Sequence, residues 1–98
     1  MVRHIMMWKV RDGEQDADGI LRLVKRELEG LYGRVEGMKN IRVSIHPYPS
    51  SSADAMVECV FDNEESFAAY KAHPAHIAVA NKYIRPYMEE RLSFDSEI

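Results

Sequence analysis

At 98 residues the chain is one domain, and a composition of 46% hydrophobic and 30% charged residues is that of a folded globule. Thirteen Lys and Arg against sixteen Asp and Glu give a net charge of −3 with no basic run, which argues against nucleic acid as a partner. No apolar stretch approaches a membrane span, and the single Cys59 forms neither an internal disulfide nor a cysteine metal cluster.

The opening segment, Val2–Val10, reads as a strand that is apolar on both faces. Val2, His4, Met6, Trp8 and Val10 share one face; Ile5 and Met7 share the other. With its short apolar run and no small-residue cleavage site, this segment does not read as a signal peptide. A cytoplasmic location is the expectation. Ile20, Val24, Leu28 and Leu31 then recur at helical spacing, and Leu21 widens the stripe. Asp16 or Asp18 suits the N-cap and Gly33 the end. Within this helix "VKRELEG" mixes bases with acids and reads as a solvated face. Ile41, Val43 and Ile45 alternate with Arg42, Ser44 and His46, the pattern of a half-buried strand. The Pro and Ser cluster from His46 to Asp54 is a loop, and Ala55–Phe61 is the third strand. A second helix opens with Asp62 or Asn63 as cap and Glu64 and Glu65 in its first turn. Pro74 fits the first position of a new helical segment capped by His73, running to about Tyr83. A turn at Pro86 precedes the last strand, Glu89–Asp95.

The order βαββαβ predicts an α+β, ferredoxin-like fold with a four-stranded antiparallel sheet. The first and third strands, apolar on both sides, belong in the middle. Two helices cover only one face of such a sheet. The face of Ile5, Met7 and Val60 needs another cover, and a second copy packed through the same face supplies it. The expected partner is therefore the chain itself.

"YKAHPAHIAVA", from Tyr70 to Ala80, holds two histidines, a proline and a tyrosine in seven residues. With this segment, "VRHIMMWKVRDG", "LEGLYGRVEGMKNIRVS" and "YIRPYMEERLSFD", the chain resembles the stress-responsive dimeric α/β-barrel (Dabb) family. The resemblance spans nearly the whole chain. It implies a homodimer in which two ferredoxin-like sheets close one barrel. It does not fix an activity. One plant branch, that of olivetolic acid cyclase, is enzymatic and closes a linear poly-β-keto thioester by an aldol step, without metal or cofactor. In that branch a His and a Tyr act from this region, and by motif they fall on His76 and Tyr70 here; a first-strand His falls on His4. The chain departs from the family in "VEGMKN", which lacks a Pro before Gly37, and in "SIHPY", which replaces Val-Gly-x-Asn. Trp8 narrows any pocket on the helix side of the sheet, which weighs against a long alkyl tail.

His76 falls in the first turn of its helix, where the dipole and partial burial both disfavour an imidazolium. A neutral ring at pH 7 is a general base for a proton beside a carbonyl. Tyr70 is a donor for the developing enolate oxygen. Each also has a plain structural reading: His76 packing at the helix–sheet interface, Tyr70 as core, His4 as a satisfied interior polar group, His73 as a cap. A pocket between sheet and helices would be lined by His4, Trp8, Leu28, Val57 and Val79, and would take a small apolar carbonyl compound. "H-P-A-H" sets two rings three residues apart with no third ligand nearby, so the reading includes no metal and no cofactor. Three functions stay open: a small-molecule-binding dimer, a cofactor-free acid–base enzyme, and a purely structural dimer.

Overall fold

A computed structural model describes residues 1–98. Its elements are β1 (Val2–Val10), α1 (Ala17–Glu29), β2 (Met38–Ser44), β3 (Ala55–Phe61), α2 (Glu64–Ala72), α3 (Pro74–Val79), a π-helical turn (Ala80–Ile84) and β4 (Met88–Glu97). The sheet order is β2-β3-β1-β4, with all neighbours antiparallel. β1 and β3 are thus central, as their two-sided apolar pattern requires, and the fold is ferredoxin-like α+β.

The helices pack on one face of the sheet. Phe61, Leu28, Leu31, Val24, Val43 and Cys59 are fully buried there. Asp16 caps α1, its carboxylate accepting from the Gly19 N–H. The helix stops at Gly30, three residues before the expected Gly33. Beyond it the chain tightens into short turns, in which the N–H groups of Leu31 and Tyr32 reach the carbonyls of Leu28 and Glu29. Leu31 is fully buried but lies outside the helix. One clamp ties α1 to the edge of the sheet. Lys25 Nζ donates to Glu29 Oε2 at 2.8 Å and to the Val43 carbonyl at 2.7 Å, and the Val43 N–H donates to Glu29 Oε2 at 2.9 Å. These bonds occupy backbone groups that an edge strand would otherwise leave open. Burial pushes the Glu29 carboxyl up, but the Lys25 and Val43 bonds outweigh it and hold the group below its ordinary value.

Asn63 caps α2, and the His73 ring accepts from the Ala75 N–H at 3.0 Å to start α3 at Pro74. The π turn closes with the Arg85 N–H on the Ala80 carbonyl. β4 carries an irregularity where Met7 faces Leu92 but Lys9 faces Glu89. The extra residue falls at Glu90–Arg91, and Glu90 takes φ +52, the left-handed region. β4 begins at Met88 and ends at Glu97, longer at both ends than the alternation suggested.

Gly37 makes a test of the α1–β2 connection. It sits at φ +85, and an added Cβ would run into the Ser66 hydroxyl and Cβ. Gly37→Ala should cost about 1–3 kcal/mol of stability in urea unfolding. Gly33→Ala, at the same φ but with open space around it, should cost about 1 kcal/mol or less. Equal losses at both positions would show that the Ser66 contact is not what makes Gly37 necessary.

Candidate functional site

A cavity of about 470 Å³ opens between the helix-facing side of β1 and β4 and the α2–α3 layer. That size suits a small ligand. Its interior is formed by His4, Trp8, Leu28, Val57, Tyr70 and His76, with Ala80, Ile84 and Met88 beside them. These bring strand positions of β1 and β3 into register with the α2–α3 junction. Val79, expected among the lining residues, packs in the core instead. The helix widens into the π turn immediately after it, so Ala80 and Ile84 reach the cavity and Val79 does not. Trp8 is 3% exposed and lines the cavity from the sheet side.

Five aromatic rings, those of His4, Phe61, Phe67, Tyr70 and His76, form one network of contacts. His4 lies 4.9 Å from Phe67 and 6.5 Å from Tyr70, centroid to centroid; Tyr70 lies 4.2 Å from His76. The break at His73–Pro74 brings the last pair together. In a continuous helix Tyr70 and His76, six positions apart, would point about 120° away from each other. Tyr70 is 2% exposed and its hydroxyl lies beside the Cys59 thiol. Burial, with Cys59 adding to it, pushes the Tyr70 hydroxyl far above its ordinary value. It is a hydrogen-bond donor, never a phenolate. Burial likewise pushes the Cys59 thiol up to about 12, with the Tyr70 hydrogen bond opposing and the Glu58 charge adding, so Cys59 is a poor nucleophile.

His76 is half-buried, and its Nδ1 has no hydrogen-bond partner. Burial pushes its imidazole below the ordinary value; the Lys71 backbone carbonyl opposes this, and positive charge on His4, Arg85 and His73 adds to the lowering. The sign follows for stability. The unfolded chain takes up a proton near pH 6.5, where the folded chain does not. The His76 contribution is complete above about pH 6.5 and is lost as pH falls through the folded value. Urea unfolding should show a less stable protein at pH 5 than at pH 7. His76→Gln should flatten that slope; an unchanged slope would contradict it.

His4 is 6% exposed and its Nδ1 stands 2.5 Å from Asp95 Oδ1. A carboxylate only accepts, so Nδ1–H donates and Nε2 is left as the acceptor. The two residues are direct cross-strand partners in the β1–β4 pairing. Asp95 itself lies outside the cavity and lines a broader cleft with Glu64, Glu65 and Glu97. The sequence reading missed Asp95, and nothing local points to it: the signal is the strand register, ninety-one residues away. His46 is exposed and far from this constellation. No group of three His, Cys, Asp or Glu side chains is placed to hold a metal ion.

The family model of the stress-responsive A/B barrel domain matches residues 2–98. The chain belongs to this family. Among solved structures, a dimeric protein of unknown function with a ferredoxin-like fold from Bacteroides fragilis is 25% identical. It superposes with a TM-score of 0.89 over 99% of this chain and 95% of that one. A dimeric ferredoxin-like protein of unknown function from Thermobifida fusca gives 23% identity and a TM-score of 0.85, over 99% and 90%. The hydroxynitrile lyase from Passiflora edulis gives 16% and 0.81, over 99% and 92%. No curated protein matches the sequence of this family member. No helix in it is long and apolar enough to cross a membrane.

Proposed function

We propose that this A/B-barrel protein binds a small carbonyl compound in the cavity between sheet and helices, and works as a homodimer. The carrying observation is the cavity itself: about 470 Å³, apolar within, with the imidazoles of His4 and His76 among its walls. A purely structural barrel has no need of an open space beside two histidines, because interiors otherwise pack to near crystal density. The dimer follows from the sheet's other face. Leu92 and Phe94 are each 64% exposed there and lie directly opposite Met7 and Ile5. A cytoplasmic site of action agrees with an unpaired, buried Cys59.

A second reading, acid–base catalysis without a cofactor, is favoured by one specific feature. The Asp95 carboxylate orients His4, while burial keeps His76 neutral, so two imidazoles of different character meet in one cavity. His76 would take the proton from a carbon flanked by carbonyls. The C–H electron pair then becomes the enolate, whose oxygen accepts from the Tyr70 hydroxyl. The same fold carries hydroxynitrile lyase activity in the passion-fruit protein. The test is binding of pentane-2,4-dione followed on the histidine ring signals by NMR. Saturable shifts at His4 and His76 are expected. Signals that stay fixed up to millimolar diketone would overturn the binding reading. Binding with no exchange of the central C–H protons for deuterium beyond the rate in buffer alone would leave binding and remove catalysis.

A further inference from the structure

The mouth of the cavity has a character its interior lacks. Arg11, Lys71, Arg85 and Arg91 all line it and all are exposed. They come from four places in the chain: the end of β1, the last turn of α2, the segment after the π turn, and the irregular stretch of β4. None of the four is paired with a carboxylate. Ion pairs instead engage Lys9, Arg22, Lys25, Arg26 and Lys39. Three of the mouth cations make contacts with neutral groups, although Lys71 also borders the cleft lined by Asp62, Glu64, Glu65, Asp95 and Glu97. Arg11 Nη2 donates to the Arg85 carbonyl at 3.2 Å, Arg85 Nη1 to Asn81 Oδ1 at 2.6 Å, and Lys71 Nζ stands 4.4 Å from the centre of the Phe67 ring. Two carboxylates also line the cavity, Glu89 and Glu90, and Glu90 is already engaged by Lys9 at 3.8 Å. In a chain of net charge −3, the cavity rim is therefore positive.

We infer that the ligand of this cavity is an anionic carbonyl compound, with its carbonyl end inside and a carboxylate or phosphate at the mouth. This rests on the proposed binding function and names its substrate class. Three of the four cations are guanidinium groups, whose planar forks match carboxylate and phosphate oxygens in pairs. The apolar interior accommodates the uncharged end. A field of one sign at the rim also raises the local concentration of an anion and its rate of entry.

The test uses 4,6-dioxoheptanoate, a 1,3-diketone with a carboxylate at one end, and its methyl ester, each followed on the His76 ring signals by NMR. At low ionic strength the acid should bind ~10-fold tighter than the ester, and the ratio should shrink toward one near 1 M salt. R85Q/R91Q should narrow the ratio at low salt. Acid and ester of equal affinity, or a ratio untouched by R85Q/R91Q, would overturn the charge assignment while leaving carbonyl binding intact. Neither probe moving His76 would overturn the binding function and the charge assignment together. Competition with acetate and phosphate at equal ionic strength then identifies the group: the anion that displaces the acid more strongly marks the preferred chemistry. Displacement by neither beyond that of chloride would also overturn the assignment.

Discussion

His76→Gln is expected to slow deuterium exchange at the central carbon of a bound 1,3-diketone by roughly 10²–10⁴-fold, the usual contribution of a positioned general base. Affinity for the diketone should change only a few-fold, because glutamine fills similar space. The cause is electrostatic. A base works at pH 7 only if it is neutral there, and burial holds the His76 imidazole below its ordinary value. Nδ1 of the ring has no hydrogen-bond partner, and the Tyr70 ring lies 4.2 Å away, centroid to centroid. Asp95→Asn is the companion variant. It keeps the shape of the partner 2.5 Å from His4 but gives up the carboxylate. If His4 supports the reaction, exchange slows with Asp95→Asn while His76 still titrates low. Exchange that is as fast in His76→Gln as in the parent protein would remove His76 from the chemistry.

Leu92→Glu combined with Phe94→Glu should convert a dimer into a folded monomer, the second large effect. Both side chains are 64% exposed in the single chain, so their replacement removes little from its own core. In a dimer packed through this face they meet a second copy. Each buried carboxylate would then cost several kcal/mol without a partner. A two-fold axis doubles the effect, since every substitution appears on both sides of the interface. Register places Ile5, Met7 and Met56 beside them, so the apolar patch reaches across three strands, with Glu58 opposite Ile5 at its side. Sedimentation equilibrium should give twice the chain mass for the parent and the chain mass for the double variant, with unchanged circular dichroism. A parent that sediments as a monomer at 100 μM, on the order of cellular or higher concentrations, would contradict the dimer.

The fold was legible because its signals are local and repeat. Val2, His4, Met6, Trp8 and Val10 alternate over a whole strand, and Ile41, Val43 and Ile45 do the same on a half-buried one. Asn63, His73 and Pro74 mark helix starts by chemistry that needs only neighbours. The helix end near Gly30 was misplaced for a physical reason. Leu31 continues the apolar stripe, and burial does not distinguish a last helical turn from the tight turns after it. The site was legible only where one motif holds it together. Tyr70 and His76 fall within "YKAHPAHIAVA", and the proline break between them sets their contact. Asp95 was not legible. It sits in a weakly alternating strand, and its pairing with His4 depends on a register that an irregularity at Glu90 helps set. The four mouth cations were invisible for the same reason: scattered in sequence, they converge only in space. Val79 misled because a regular helix was assumed where a π turn begins.

A pH titration of the histidine ring signals by NMR in the intact protein, repeated with saturating pentane-2,4-dione, reads the base and the open cavity together. His76 should titrate below the ordinary histidine value of about 6.5, and the diketone should shift both its signals and those of His4. A His76 that titrates at or above that value, or a diketone that moves neither ring, would contradict a neutral base in an open cavity.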